Sequence, residues 1–237
     1  MARPRSQAYD GQRELILKHA ASLFAVKGYS ATSMNEVAAA CGVSKAAVYH
    51  YVRDKNELLA LVAEAHVQRL AQVVAEVMTE PLGAEARLRE LIIRFVREYA
   101  SARNEHRVLT EDVGLLEPAR REQVLQVQRG VVAAFANAVA AVRPGLQKAE
   151  LHKPLAMLLF GMINWMFTWF RPGEPLTHEQ MAPLVADLFF GGLVAVNPPA
   201  PASTPAAVSK TRASPTKVPT KARTAKPSRQ STKETTL

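Results

Sequence analysis

A single cysteine, Cys41, is all that the 237-residue chain contains, which excludes an intramolecular disulfide framework and fits a reducing compartment. Long apolar runs are missing too. The uncharged stretch Pro154–Phe170 has only 17 residues and includes Gly161 and Asn164, whereas a spanning helix needs about 20 predominantly apolar residues. The opening MARPRSQAYDGQ holds no apolar core of the kind a secretory signal uses. A cytoplasmic protein without a membrane partner is therefore expected. Catalytic patterns are also lacking. His19, His50, His66, His106, His152 and His178 show no H-x-x-x-H spacing, and no G-x-S-x-G, P-loop or dinucleotide fingerprint occurs. Carboxylates fall as helix-surface charges with arginine partners four residues on, as in Glu85–Arg89 and Glu90–Arg94. The expectation is no enzyme, no metal and no cofactor.

What the chain does have is an uneven charge and a helical period. The net charge is +9, but Pro198–Leu237 holds eight Lys or Arg against one acid, while Met1–Asn197 holds 22 against 20. The basic balance favours an anionic partner, yet it is mostly a property of this tail. The tail has no aromatic residue and is dominated by Pro, Ala, Ser, Thr, Lys and Arg. Such a composition buries too little apolar surface to offset the entropy of ordering, so disorder is expected. Upstream, no window alternates at period two for long enough to argue a strand, and the fold class expected is all-α. Leu15, Ile16, His19, Ala20, Leu23 and Phe24 form one stripe that Gly28 ends. Further helices are expected at Glu85–Ser101, Glu105–Leu116, Pro118–Val142, Leu146–Phe170 and Thr177–Val196, with proline and glycine between them.

The densest pattern is TSMNEVAAACGVSKAAVYHYVRDKNELL, Thr32 to Leu59. Ser33 with Glu36 three residues on reads as a capping box, Gly42 as a sharp turn, Ser44 as the cap of a second short helix, and Asp54 as the cap of a long one reaching Thr79. Two short helices joined this way make a helix-turn-helix, whose second helix is free to enter a DNA major groove. If Val48, Tyr51 and Val52 face the core, the opposite face carries Lys45, Ala46, Tyr49 and His50. Small side chains let the backbone approach base edges, and an alanine methyl packs on a thymine methyl. Candidate DNA contacts are Ser44, Lys45, Ala46, Ala47, Tyr49, His50 and Tyr51 on this helix. Thr32, Ser33 and Lys55 join them near helix starts, where backbone N–H groups favour a phosphate. Arg3 and Arg5 fit either a minor-groove arm or a solvated terminus.

The stretch Gly28–Leu59 resembles the DNA-binding domain of TetR-family regulators, with its Gly-aromatic-x-x-Thr-Ser start, A-G-V-S-like turn and Lys-x-x-Leu-Leu helix start. It departs from that pattern at Cys41, Val48 and Val52 and in the order of His50 and Tyr51. The resemblance implies a basic arm at 1–9, a helix-turn-helix domain at 10–56, a ligand-binding and dimerisation domain at 57–196, and the tail at 197–237. Met157–Leu193 is similar to the last two helices of the family's acyl-CoA-responsive branch. That implies a homodimeric repressor that a small-molecule inducer, an acyl-CoA thioester, releases from double-stranded operator DNA. A regulator of efflux or stress genes with a hydrophobic non-CoA inducer is the alternative within the family; a non-specific architectural DNA-binding protein is the alternative outside it. Tyr99, Phe135, Asn164 and Trp165 are the candidate walls of a ligand tunnel, with Trp169 and Arg171 as its rim. Asn164 reads first as a hydrogen-bonded interface amide and otherwise as a polar anchor of the pocket, and Trp165 and Trp169 read equally as a dimer stripe.

Overall fold

The computed structural model describes residues 7–171 and 176–197; the expected arginine arm and the tail beyond Asn197 lie outside them. Among the described residues there are ten α-helices, one 3₁₀ turn and no strand. The first four helices are α1 (Gln7–Lys27), α2 (Met34–Ala40), α3 (Lys45–Tyr49) and α4 (Lys55–Thr79). The sequence signals for their ends are all used. The Ser33 hydroxyl accepts from Glu36 N while the Glu36 carboxylate accepts from Ser33 N, and Ser44 and Asp54 accept from Ala47 N and Glu57 N. Gly28 and Gly42 both have positive φ, 85° and 66°. At the second, Val43 N reaches back to Ala38 O at 3.0 Å, closing the turn between α2 and α3.

The body follows with α5 (Ala84–Ser101), α6 (Arg103–Glu111), the 3₁₀ turn Val113–Leu115, and α7 (Pro118–Val142). It ends with α8 (Pro144–Lys148), α9 (His152–Trp169) and α10 (His178–Ala195). Leu88, Leu91, Ile92, Phe95, Val96 and Tyr99 form the buried stripe of α5, and each such side chain contributes about 1.5–3 kcal/mol on burial. Phe95 meets Phe135 edge-on with ring centroids 4.7 Å apart, and Phe135 meets Phe160 at 4.8 Å, which joins α5, α7 and α9. Arg89 does not pair with Glu85 as its spacing suggests. It crosses to Asp187 of α10 at 2.6 Å and lies over the Phe190 ring, whereas Arg94 does pair with Glu90 at 2.6 Å.

Two expected helices are broken. The one expected over Glu105–Leu116 starts earlier, at Arg103, and ends in the 3₁₀ turn. The other, expected over Leu146–Phe170, divides at Glu150, which takes φ 56° while Leu151 N donates to Leu146 O. A glutamate in the left-handed region gives no stop signal in sequence, since glycine or asparagine is the usual occupant. Gly42 provides a clean test of the turn. A Cβ there would meet no atom within 4 Å, so Gly42→Ala should lose only the backbone term, about 1–2 kcal/mol. Urea unfolding should show that loss, and Gly42→Asn should recover part of it.

Candidate DNA-reading helix and effector cavity

On α3 the split between core and surface is as expected. Val48 is fully buried, as is Val52 beyond the helix, while Lys45, Ala46, Tyr49 and His50 are exposed and Ala47 is partly so. One short convex face therefore offers an ammonium, a methyl, a phenol and an imidazole. Ser44 is exposed, with its hydroxyl accepting from Ala47 N as the cap. Tyr51 is half-buried, its ring 4.7 Å from that of Tyr9 on α1, so it packs the head together.

Three neighbouring expectations change. Thr32 is buried, and its hydroxyl donates to Gly28 O at 2.9 Å, so it closes the α1–α2 turn instead of facing a phosphate. Lys55 spends its ammonium on Tyr29 O, Ser30 O and Thr32 O at 2.9, 3.3 and 2.9 Å, with the Tyr29 ring 4.4 Å away. An ammonium has three N–H groups, and none is left for DNA. Ser33 is exposed, but its hydroxyl donates to Glu36, which Lys27 also pairs. Lys27, then the Ser33 amide and hydroxyl, hold the Glu36 carboxyl down at about 2. The start of α2 is thus already occupied by an anion of the protein's own.

In the body, a cavity of about 520 Å³ lies among α4, α5, α6, α7 and α9, within the usual range for small-molecule sites. Val67, Leu70, Leu109, Val131, Ala136 and Phe160 supply much of its apolar wall. Lys153, Met157, Phe160 and Asn164 line it from one stripe of α9, and exposed Arg129, Ala133 and Asn137 line it from one edge of α7. Lys153 and Arg129 make the lip cationic. Arg129 is paired with Glu122, whereas no ion pair involves Lys153 among the described residues.

The buried end is polar. His66 Nε2 and His106 Nδ1 are 3.3 Å apart, and Tyr99 stacks on His106 with ring centroids 3.6 Å apart. Burial pushes His66 down to about 4. Burial, then the neighbouring His66, pushes His106 down to about 3, against a raising hydrogen bond to Asn164. Both rings are neutral at physiological pH. Burial likewise raises the Tyr99 hydroxyl above its ordinary value, so it stays protonated.

Of the expected ligand residues, Tyr99 and Asn164 line the cavity and the others do not. Phe135 is wholly buried between Phe95 and Phe160, and Phe160 is the ring that meets the cavity. Trp165 is 66% exposed and Trp169 50% exposed, on the outer side of α9. Arg171 is exposed just beyond the C-terminus of α9, whereas the lip cation Lys153 sits at its N-terminus. A spacing of four put the two tryptophans on one helix face, but that face points away from the cavity. The residues missed were His66, His106, Lys153 and Phe160. The signal for the two histidines was their place within otherwise apolar stripes of α4 and α6.

A three-helix head with an exposed second helix of a helix-turn-helix, joined to a helical body, is the architecture of a DNA-binding regulator. Residues 16–62 match the model for bacterial regulatory proteins of the tetR family, and residues 81–193 match the tetracyclin repressor-like C-terminal domain. A TetR-family transcriptional regulator from Bordetella parapertussis is 30% identical with a TM-score of 0.72, covering 78% of this chain and 97% of that one. The transcriptional activator FasR of Mycolicibacterium smegmatis is 30% identical over 78% of this chain and 84% of its own. A structure of AibR in complex with isovaleryl coenzyme A and operator DNA has 24% identity and a TM-score of 0.65, covering 75% of this chain and 97% of that one. The chain belongs to the TetR family of transcriptional regulators. Regulators of this family bind operator DNA as dimers and respond to small molecules. The outer faces of α9 and α10 leave Leu158, Trp165, Leu184, Leu188 and Val194 exposed.

The two lysines should separate reading from folding. Lys45→Ala should weaken binding to an operator recovered by in vitro selection and lower the salt slope by about one, with the melting temperature unchanged. Lys55→Met should instead cost about 2 kcal/mol of stability, since it removes charged hydrogen bonds. The histidine pair makes a pH prediction. Both folded pKa values lie below the ordinary 6.5, so the unfolded chain binds protons that the folded one refuses. The pair's contribution is therefore complete above pH 6.5 and lost as pH falls through about 4 and 3. Thermal melts over that window should fall more steeply for the natural protein than for a His66→Leu, His106→Leu variant.

Proposed function

We propose that the chain is a repressor which an acyl-CoA thioester releases from its operator. The acyl group occupies the cavity, and the anionic handle leaves over Lys153 and Arg129. The observation that carries this reading is the pairing of a mostly apolar cavity with a cationic lip on which Lys153 has no acidic partner among the described residues. Coenzyme A brings phosphates to such a lip, and ammonium and guanidinium groups are the side chains that bind phosphate. The AibR complex with isovaleryl coenzyme A, on the same fold, supports the ligand class.

Exposed Lys45, Ala46, Tyr49 and His50 read the major groove, with Ser44, Ala47 and Tyr51 setting the helix in place. The link between cavity and head is short. α6 carries His106 and Leu109 into the cavity wall and packs on α1. The turn after it offers Leu115 O to Asn56 Nδ2 at 3.2 Å. Arg120 at the start of α7 pairs with Glu64 at 3.2 Å and lies 3.7 Å from Glu57. A ligand that displaces α6 therefore tilts α4 and the reading head together. In a dimer that tilt changes the half-site spacing, which must match roughly 34–36 Å. Decisive release needs the ligand to favour one state by about 5 kcal/mol.

Calorimetry with octanoyl-CoA, octanoic acid and free coenzyme A tests this. The thioester should bind tightest, and Lys153→Met should weaken it about tenfold while leaving octanoic acid and operator binding unchanged. Equal affinity for acid and thioester would reject the lip as a coenzyme A site and favour a hydrophobic non-CoA inducer, the reading that the apolar walls alone would support.

A further inference from the structure

The buried end of the cavity is closed by groups that already satisfy one another. His66 Nε2 and His106 Nδ1 share one hydrogen across 3.3 Å, Asn164 shares a hydrogen bond with His106, and the Tyr99 ring stacks on the His106 ring at 3.6 Å. These side chains tie α4, α6, α9 and α5 together at one point. Tyr99, His106 and Asn164 line the cavity, and His66 lies behind them, only 4% exposed. Asn164 is roughly 16 Å of helix axis from Lys153 at 1.5 Å per residue. The wall between is mostly aliphatic, with Val67, Leu70, Leu109 and Val131 facing Met157 and Phe160.

We propose that this cluster is the floor of the effector site, and that the effector is an acyl chain with an unsubstituted hydrocarbon end, which releases the operator only when long enough to press on His106. This rests on the thioester reading above. A floor whose hydrogen bonds are made internally offers a ligand nothing polar to bind. A hydroxyl arriving there gives up its water and must break an existing bond to find a partner, whereas a methyl group loses nothing. The aliphatic wall rewards each methylene that it covers. A staggered carbon chain advances roughly 1.3 Å per carbon, so the length of the wall bounds the acyl group at about 12 carbons. The floor also connects the chain end to the head. His106 stands between the cavity and His66 of α4, and close-packed side chains leave little slack to absorb a push. The helix that carries His106, α6, packs on both α1 and α4. A short chain therefore occupies the cavity without moving His106, and a chain that reaches the floor shifts α6 against α4. Occupancy and release are separate properties, divided by chain length.

The test titrates thioesters from acetyl-CoA to dodecanoyl-CoA in steps of two carbons, alongside the free acids and thioesters of matched length ending in a hydroxyl. Calorimetry reads affinity, and loss of operator binding at saturating ligand reads release. Affinity should rise about fourfold per methylene up to one length and then level or fall, with release appearing only from that length on. Each hydroxyl-ended compound should bind more weakly than its methyl-ended match. Asn164→Ala lowers the floor and should move both thresholds to longer chains, whereas a merely structural role would lower the melting temperature and leave them in place. Release by a saturating short thioester, or binding without release at every length, overturns the floor as the trigger. Preference for a hydroxyl end at any length overturns its closed character; in all three cases the thioester reading stands. The same thresholds among free acids, with no gain from coenzyme A, keep the floor and overturn the thioester reading. No binding in any arm overturns both. The natural protein alone decides these outcomes, so they stand even where Asn164→Ala fails to fold.

Discussion

One uninterrupted helix, α4, belongs to both the DNA-binding head and the wall of the cavity, and the rest of the molecule is arranged around that constraint. Its first residue, Lys55, holds the α1–α2 turn through three carbonyl oxygens. Its second, Asn56, takes the carbonyl of Leu115. Three turns on, His66, Val67 and Leu70 are at the cavity, His66 behind the wall and the other two in it. An α-helix without proline or glycine is stiff over this length, and α4 has neither between Lys55 and Thr79. A displacement at the cavity would therefore reach the head as rotation of a rod. The domain boundary expected between residues 56 and 57 falls inside that rod, so head and body share one continuous helix.

The cavity's polar end is the second constraint. A helical bundle gains most of its stability from apolar burial, and placing two imidazoles, a phenol and an amide inside it works against that. The conflict is reduced by keeping every group neutral. Sharing one hydrogen between the two histidines satisfies a ring nitrogen of each, and burial keeps protons off both. Asn164 completes the cluster by sharing a hydrogen bond with His106, and Nδ1 of His152 lies at the other end of the cavity. A protein selected only for stability would fill these positions with leucine. Polar groups kept at that cost are best explained by the floor they give the cavity.

How far the sequence could be read follows from which signals are local. The head was legible because caps and turns are local chemistry. Ser33 with Glu36, Gly42, Ser44 and Asp54 each specify a helix end within a few residues, and each is used as expected. The outward face of α3 followed from the same local phase. Lys55 and Thr32 were misassigned because their partners, the carbonyls of the α1–α2 turn, are fixed by packing and not by spacing. In the body, periodicity located the helices but not their rotation. Trp165 and Asn164 are neighbours in sequence, yet one points outward and the other into the cavity. Only α5, with an apolar stripe of clear phase, fixed its inward residue, Tyr99.

The rotation of α9 joins the site to the assembly. One side of this helix carries Lys153, Met157, Phe160 and Asn164 to the cavity, and another presents Leu158, Trp165 and Trp169 outward. Outward residues of that size remain exposed in a single copy, which soluble proteins avoid over large contiguous areas. A second copy docked on this face would cover them, and α9 would then carry the partner on one side and the cavity on the other. A ligand filling the cavity would then displace α6 and α4, the walls opposite, and those are the elements that reach the reading head.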